Sequence, residues 1–197
     1  MTSVINYNKF LIKEHVGLFK AANSFDIFEP DSGDKIMECR EPKLGIITKL
    51  LRFSDYKTMT PFDVVVATMD GKQVIRVTRG ISFFNSKVVV KDERNRVIGG
   101  FNEKFFTMKI GGEFNVLDKN NKVICSLVGK WTTWDFYFKK GDRQYGHVSK
   151  EWAGIGKELF TSADDYILKV REQLPDNSKE RKLILAAVLC IDMVLKE

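Results

Sequence analysis

Apolar and polar positions alternate with period two through much of the middle of the chain. From Trp134 to Lys139, the residues Trp134, Phe136 and Phe138 fall on one face and Asp135, Tyr137 and Lys139 on the other. Successive strand side chains point to opposite sides of a sheet, so this is the pattern of a half-buried strand. Phe25–Glu29 shows a shorter alternation, and Val64–Val66 and Val88–Val90 are β-branched runs that suit a pleated surface. Polar clusters separate these runs at Asp31–Asp34, Asp70–Gly71, Asp92–Asn95, Asp118–Asn121 and Lys140–Asp142. Asp, Asn and Gly tolerate the positive φ that tight hairpins require. From Asp70 onward the clusters recur roughly every 20–26 residues, a length that suits strand, turn and returning strand. The pattern predicts about ten or more antiparallel strands.

Helical patterns are fewer. Ser162 followed by Ala163, Asp164 and Asp165 resembles a helix start, with a capping hydroxyl and acids in the first turn, and predicts a helix to about Gln173, stopped by Pro175. Phe53–Met59 predicts another short helix or turn ahead of Pro61. The last segment differs. From Leu183 to Leu195 every helical face is apolar except at Asp192. A helix apolar all round must be buried all round. Its thirteen residues rise about 20 Å, well short of the ~30 Å core of a bilayer, and Asp192 makes a crossing costlier still. A strand-rich chain encloses such a helix by curling its sheet around it, which also removes exposed sheet edges. The expected architecture is therefore mainly β. It is a single domain over residues 1–197, in which a closed antiparallel barrel surrounds a hydrophobic C-terminal helix at about 179–196, with Ser178 as its N-cap.

Composition supports a packed globular chain: 197 residues, 44% hydrophobic and 29% charged, with fifteen Phe and three Trp to fill a core and only four Pro. The formal charge is +6. Between Lys72 and Lys109 nine basic residues face three acids, so this stretch carries the whole excess. A local basic excess attracts anionic lipid or nucleic acid. Arg76, Arg79, Lys87, Lys91, Arg94 and Arg96 are the candidate anion-binding side chains. The three cysteines, Cys39, Cys125 and Cys190, form no CxxC pair and read as free thiols of a reducing compartment. The first eight residues contain no apolar run of signal-peptide type, and Thr2 stands where myristoylation requires glycine. These features point to a cytoplasmic chain.

The run from Tyr145 to Tyr166 and the later pair Cys190 and Asp192 add a family resemblance. Gly146, Ser149, Lys150, Trp152, Gly154, Phe160, Thr161, Ala163, Asp164, Tyr166, Cys190 and Asp192 fall in the order of the C-terminal signature of phospholipid scramblases. The segment from Phe10 to Phe28 also resembles short scramblase-related proteins. The resemblance implies the tubby-like fold, a twelve-stranded barrel around a central hydrophobic helix, and kinship with tubby and the plant LURP-one-related proteins. It also implies a calcium-associated acidic segment. In that segment this chain keeps Asp164 but has Ser162 where the family has its first Asp, and Asp165 where Asn is usual. Calcium takes six to eight oxygens, so Asp164 and Asp165 are at most weak calcium candidates.

Catalytic patterns are sparse. His15 and His147 are the two histidines, and they sit in no metal-binding spacing. The pairs Gly99–Gly100 and Gly111–Gly112 read as turns or strand ends rather than phosphate cradles. Trp131, Trp134 and Trp152 suit core packing, with membrane-interface anchoring as the alternative. Asp192 is expected at the barrel mouth or hydrogen-bonded to strand groups. The expectation is a non-catalytic, scramblase-like binder of anionic phospholipid or phosphoinositide headgroups, peripheral to the inner membrane face, with lipid scrambling implied by the family alone. The alternatives are a protein-interaction module, a nucleic-acid binder using Phe83, Phe84, Phe105 and Phe106 to stack bases, and a tail-anchored protein with Leu183–Leu195 in the membrane.

Overall fold

The computed structural model describes residues 3–15, 24–42, 61–80, 87–102, 114–130, 133–150 and 165–195. Twelve strands follow in chain order: β1 (Lys9–Glu14), β2 (Ser24–Phe28), β3 (Lys35–Arg40), β4 (Phe62–Thr68), β5 (Gln73–Arg79), β6 (Val88–Lys91), β7 (Val97–Asn102), β8 (Asn115–Asp118), β9 (Val123–Lys130), β10 (Asp135–Lys140), β11 (Arg143–Ser149) and β12 (Tyr166–Val170). Helix α1 spans Lys179–Leu195. Each strand pairs antiparallel with its neighbours in sequence, and β12 returns to β1 to close the barrel. All five turn clusters expected from the sequence join consecutive strands. At Asn95 and Asn121 the backbone takes φ of 59° and 61°, the left-handed geometry that asparagine tolerates best among residues with a side chain.

Helix α1 runs through the barrel. Every residue from Arg181 to Met193 is buried, and Leu183 to Ile191 are fully enclosed. Inward residues of the strands meet it: Phe10, Ile12, Val64, Val66, Val77, Val90, Phe101, Phe136 and Phe138 belong to the same core. Two glycines let the wall come close. A Cβ at Gly146 would lie 3.3 Å from Ile184 Cγ2, and one at Gly99 would sit 3.1 Å from both methyls of Leu183 and collide with the Leu117 carbonyl. Gly99 and Gly100 therefore lie inside β7 rather than in a turn or at a strand end, because wall and helix leave no room for a side chain there.

Two further expectations change. The segment from Tyr166 to Val170 is strand β12, not the second half of a helix. Tyr166, Leu168 and Val170 fill the core, and the backbone closes the barrel against β1 and β11, a long-range pairing that overrides the local helix signal. Trp134 precedes β10 instead of starting it, with φ of 54°, and its ring stacks on Tyr166 at 4.3 Å. It is a core residue all the same, 7% exposed. The expected short helix at Phe53–Met59 and the first three residues of the one at Ser162–Gln173 lie outside the described residues.

The N-terminal end of α1 is held by polar contacts. Ser178 Oγ accepts the Arg181 N–H at 3.4 Å, the expected capping contact. The Arg181 side chain is 2% exposed. Its guanidinium donates to the carbonyls of Leu174 (3.0 Å) and Tyr7 (3.2 Å) and to Asn8 Oδ1 (2.9 Å). One cation thus ties the helix to the chain before β1 and to the linker after β12. Lys182, 6% exposed, pairs with Glu93 Oε2 of the β6–β7 turn at 2.7 Å. Arg181→Ala leaves several buried acceptors without a donor and is expected to lower stability by roughly 3 kcal/mol, read as an unchanged urea m-value with a lower midpoint.

Candidate functional site

The six basic candidates lie on β5, β6 and the ends of these strands, but they do not form a bare cationic patch. Arg76 is outward on β5, and its guanidinium makes a two-pronged contact with Asp63 on β4, at 2.7 and 2.5 Å. Arg96 pairs with Asp92 at 2.8 Å. Arg79 is only 8% exposed, and its guanidinium carbon lies 6.0 Å from the centre of the Phe62 ring. Lys87 donates to Asn121 Oδ1 at 2.8 Å. Lys91 is half-buried beside Arg76 in the β5–β6 register, and Arg94 is exposed in the β6–β7 turn. The basic excess read along the chain is thus partly cancelled in space, by Asp63 and Asp70 from outside the window and Asp92 within it.

A cleft of about 340 Å³ opens at the N-terminal end of α1, lined by Val4, Asp70, Lys72, Gln73, Glu93 and Lys182 among others. Its charges pair off internally, Lys72 with Asp70 at 2.6 Å and Lys182 with Glu93 at 2.7 Å. A dense charge network joins β2, β3 and His15, just after β1. Asp26 receives Lys35 Nζ (2.8 Å), Arg40 Nη2 (2.5 Å) and His15 Nε2 (2.7 Å). Burial alone would raise the Asp26 pKa, but hydrogen bonds from Lys35, Arg40 and His15 outweigh it and lower it from 3.8 to about 2.

Of the described signature residues, Gly146, Tyr166, Cys190 and Asp192 lie inside the barrel, and Ser149 and Lys150 are half-buried. Gly146 gives the helix room. Ser149 ends β11 opposite Asp135 and Ile167, and Lys150 Nζ sits 5.7 Å over the Trp134 ring. Tyr166 packs under the same ring, fully buried, with its hydroxyl pKa raised by burial and by the nearby Asp192 carboxylate. Asp192 is 1% exposed, so it is enclosed rather than set at a solvated mouth. Trp131, Trp152, Gly154, Phe160, Asp164, Gly111–Gly112, Phe83, Phe84, Phe105 and Phe106 lie outside the described residues.

The Asp165 carboxylate is 2% exposed and lies 3.9 Å from Lys13 Nζ. Among the described residues no three His, Cys, Asp or Glu side chains converge. The thiols face inward and the histidines outward. Burial pushes the Cys39 thiol far up and Cys125 to about 12. His15 and His147 instead contact Asp26 and Asp135 (2.7 and 2.8 Å) on the outer face. A thiol–imidazole pair is not assembled from these residues.

Two turns on the surface are alike in a way that the alternation of apolar and polar positions does not bring out. The β6–β7 and β8–β9 turns repeat one pattern, Asp92-Glu93-Arg94-Asn95-Arg96-Val97-Ile98 and Asp118-Lys119-Asn120-Asn121-Lys122-Val123-Ile124. In the first turn Asp92 Oδ1 accepts the N–H groups of Arg94 and Arg96, both at 2.9 Å. In the second, Asp118 Oδ1 accepts those of Asn120 (2.8 Å) and Lys122 (2.9 Å). The repeat was present in the sequence as Asp, then Asn, a basic residue, Val and Ile, at identical spacing.

A closed twelve-stranded barrel threaded by an apolar helix is the tubby-like architecture. Residues 6–197 match the Scramblase family model, and the chain belongs to that family. The fold is similar to the X-ray structure of an Arabidopsis thaliana protein, with a TM-score of 0.54 and 13% identity over 95% of this chain and 91% of that one. At that identity the likeness concerns the fold alone.

The Asp26 network is testable through acid stability. A carboxylate whose folded pKa is depressed stabilises above its ordinary pKa and loses that contribution as pH falls toward the folded value. Asp26→Asn is expected to cost about 1 kcal/mol at neutral pH, allowing for solvent screening. It should also lose less further stability than the parent chain between about pH 4 and pH 2, measured by urea titrations across that range.

Proposed function

We propose that this protein is a non-catalytic, scramblase-like binder of anionic phospholipid that works from the cytoplasmic face as a peripheral protein. The observation that carries the reading is the enclosure of α1. Its apolar residues from Leu183 to Ile191 are already fully buried by the barrel, and no helix among the described residues is long and apolar enough to cross a membrane. Engagement of lipid therefore falls to the outer surface, where exposed Lys and Arg attract anionic headgroups, each worth about 1 kcal/mol near the surface. Because much of the basic excess is paired, the expected attraction is modest and strongly screened by salt. Phosphoinositide headgroups, with their greater charge, are expected to bind more tightly than phosphatidylserine.

Co-sedimentation of the full chain with vesicles decides this. Binding is expected to vesicles containing phosphatidylserine or a phosphoinositide at low salt, to fall at least tenfold in high salt, and to be absent with phosphatidylcholine alone. Failure to bind anionic vesicles at low salt contradicts the reading.

A further inference from the structure

Five large apolar side chains of the described residues are markedly exposed: Tyr7 (41%), Met69 (55%), Val97 (49%), Val123 (39%) and Val128 (50%). In an up-and-down barrel the β2–β3, β4–β5, β6–β7, β8–β9 and β10–β11 turns share one end. Four of the five belong to that end. Tyr7 lies just before β1, Met69 just after β4, and Val97 and Val123 open β7 and β9. Isolated exposed apolar residues need no explanation. Here, however, two of them occupy the same position of a repeated turn, and a third sits in the neighbouring β4–β5 turn.

The fold does not require them to be apolar. In both repeats the next residue, Ile98 or Ile124, turns inward and packs on the core, while the valine faces water. A β-branched polar residue such as Thr would serve the strand equally well. Val97 and Val123 stand two strands apart, a lateral spacing of roughly 10 Å.

Charge accompanies them. Asp92 and Asp118 spend carboxylate oxygens on turn N–H groups, and Glu93 is paired with Lys182. Arg94, Lys119 and Lys122 are exposed in the same turns. In the β6–β7 and β8–β9 turns exposed apolar side chains thus stand beside exposed cations, while Asp92, Glu93 and Asp118 bond within the protein. The other turns of this end add the exposed acids Asp31, Asp34, Asp70 and Asp142, of which Asp31 pairs with Lys9 and Asp70 with Lys72. A basic surface with protruding apolar residues complements an anionic bilayer, which takes up both.

We infer that the tight-turn end of the barrel is the membrane-docking surface, with Met69, Val97 and Val123 entering the interface and Arg94, Lys119 and Lys122 contacting anionic headgroups. The inference rests on the function proposed above and shifts the contact from the β5–β6 wall to the turns at one end. Met69→Ser/Val97→Thr/Val123→Thr changes only exposed positions and is expected to keep the parent melting temperature. It should weaken binding to phosphatidylserine vesicles at least tenfold. Arg94→Glu/Lys122→Glu should weaken it by roughly fivefold or more per charge reversed. Val128→Thr, the matched change on the outer wall, should bind as the parent does. Independently of folding yield, brominated phospholipid should quench the added fluorescence of Val97→Trp and not that of Val128→Trp. If the parent chain binds vesicles and the triple variant binds equally well, the placement is overturned while the lipid-binding function stands. If the parent chain binds no anionic vesicle, both fall together. If the triple variant dissociates a dimer of the parent chain and leaves vesicle binding unchanged, this end is an interface between copies and the placement is overturned.

Discussion

The burial of one helix governs the rest of this molecule. Helix α1 is apolar on every side, so no single sheet face could cover it, and only a closed wall keeps Leu183 to Ile191 from water. Closure in turn depends on β12 reaching β1, which joins the two ends of the chain. Arg181 reinforces that closure from the inside by donating to backbone on both sides of the seam, at Tyr7 and at Leu174. The glycines at 99 and 146 follow from the same demand, since a wall drawn tightly around a helix must omit side chains where it comes closest. The family signature makes sense on these terms. Gly146, Tyr166 and Asp192 lie where helix and barrel meet, so this part of the signature records how the fold is packed, and any lipid contact must be sought elsewhere.

Closing the wall also determines what is left for function. Inside, the three thiols are buried, and burial keeps Cys39 and Cys125 protonated; outside, strand neighbours bring distant charges together. Arg76 looks uncompensated along the chain, yet the β4–β5 register sets it beside Asp63. What the surface retains is a contrast between walls on which cations and carboxylates neutralise one another and the β6–β7 and β8–β9 turns, where Asp92 and Asp118 accept backbone N–H groups and Arg94, Lys119 and Lys122 are exposed. That contrast, rather than net charge, is what the proposed membrane docking rests on.

The barrel and its core were legible in the sequence because their signals are local and strong. A helix too short to span and too apolar to lie on a surface has few other solutions, and turns rich in Asp, Asn and Gly mark hairpins wherever they occur. The misreadings fall where distant pairing decides. The helix expected to run on through Tyr166–Val170 is a strand there, because those residues have β1 and β11 to pair with. Gly99 and Gly100 read as a turn or strand end because nothing along the chain reveals that Leu183 presses on Gly99 and the Val88 backbone on Gly100. The candidate site was less legible still. A linear window counts Arg76, Arg79 and Arg96 as available, whereas ion pairing and burial occupy all three. The repeated turn ending in Val97 and Val123 was visible in the letters, yet only the exposure of the two valines gives it meaning.

The central claim is that α1 remains the core of the barrel when the protein meets lipid. Amide hydrogen exchange of residues 183–193, with and without phosphatidylserine vesicles under conditions where the chain is bound, tests it directly. The account predicts equally strong protection in both states, with changes confined to the turns at 69–72, 92–97 and 118–123. Loss of helix protection on binding, or transfer of these residues into the reach of a bilayer-embedded quencher, would contradict it.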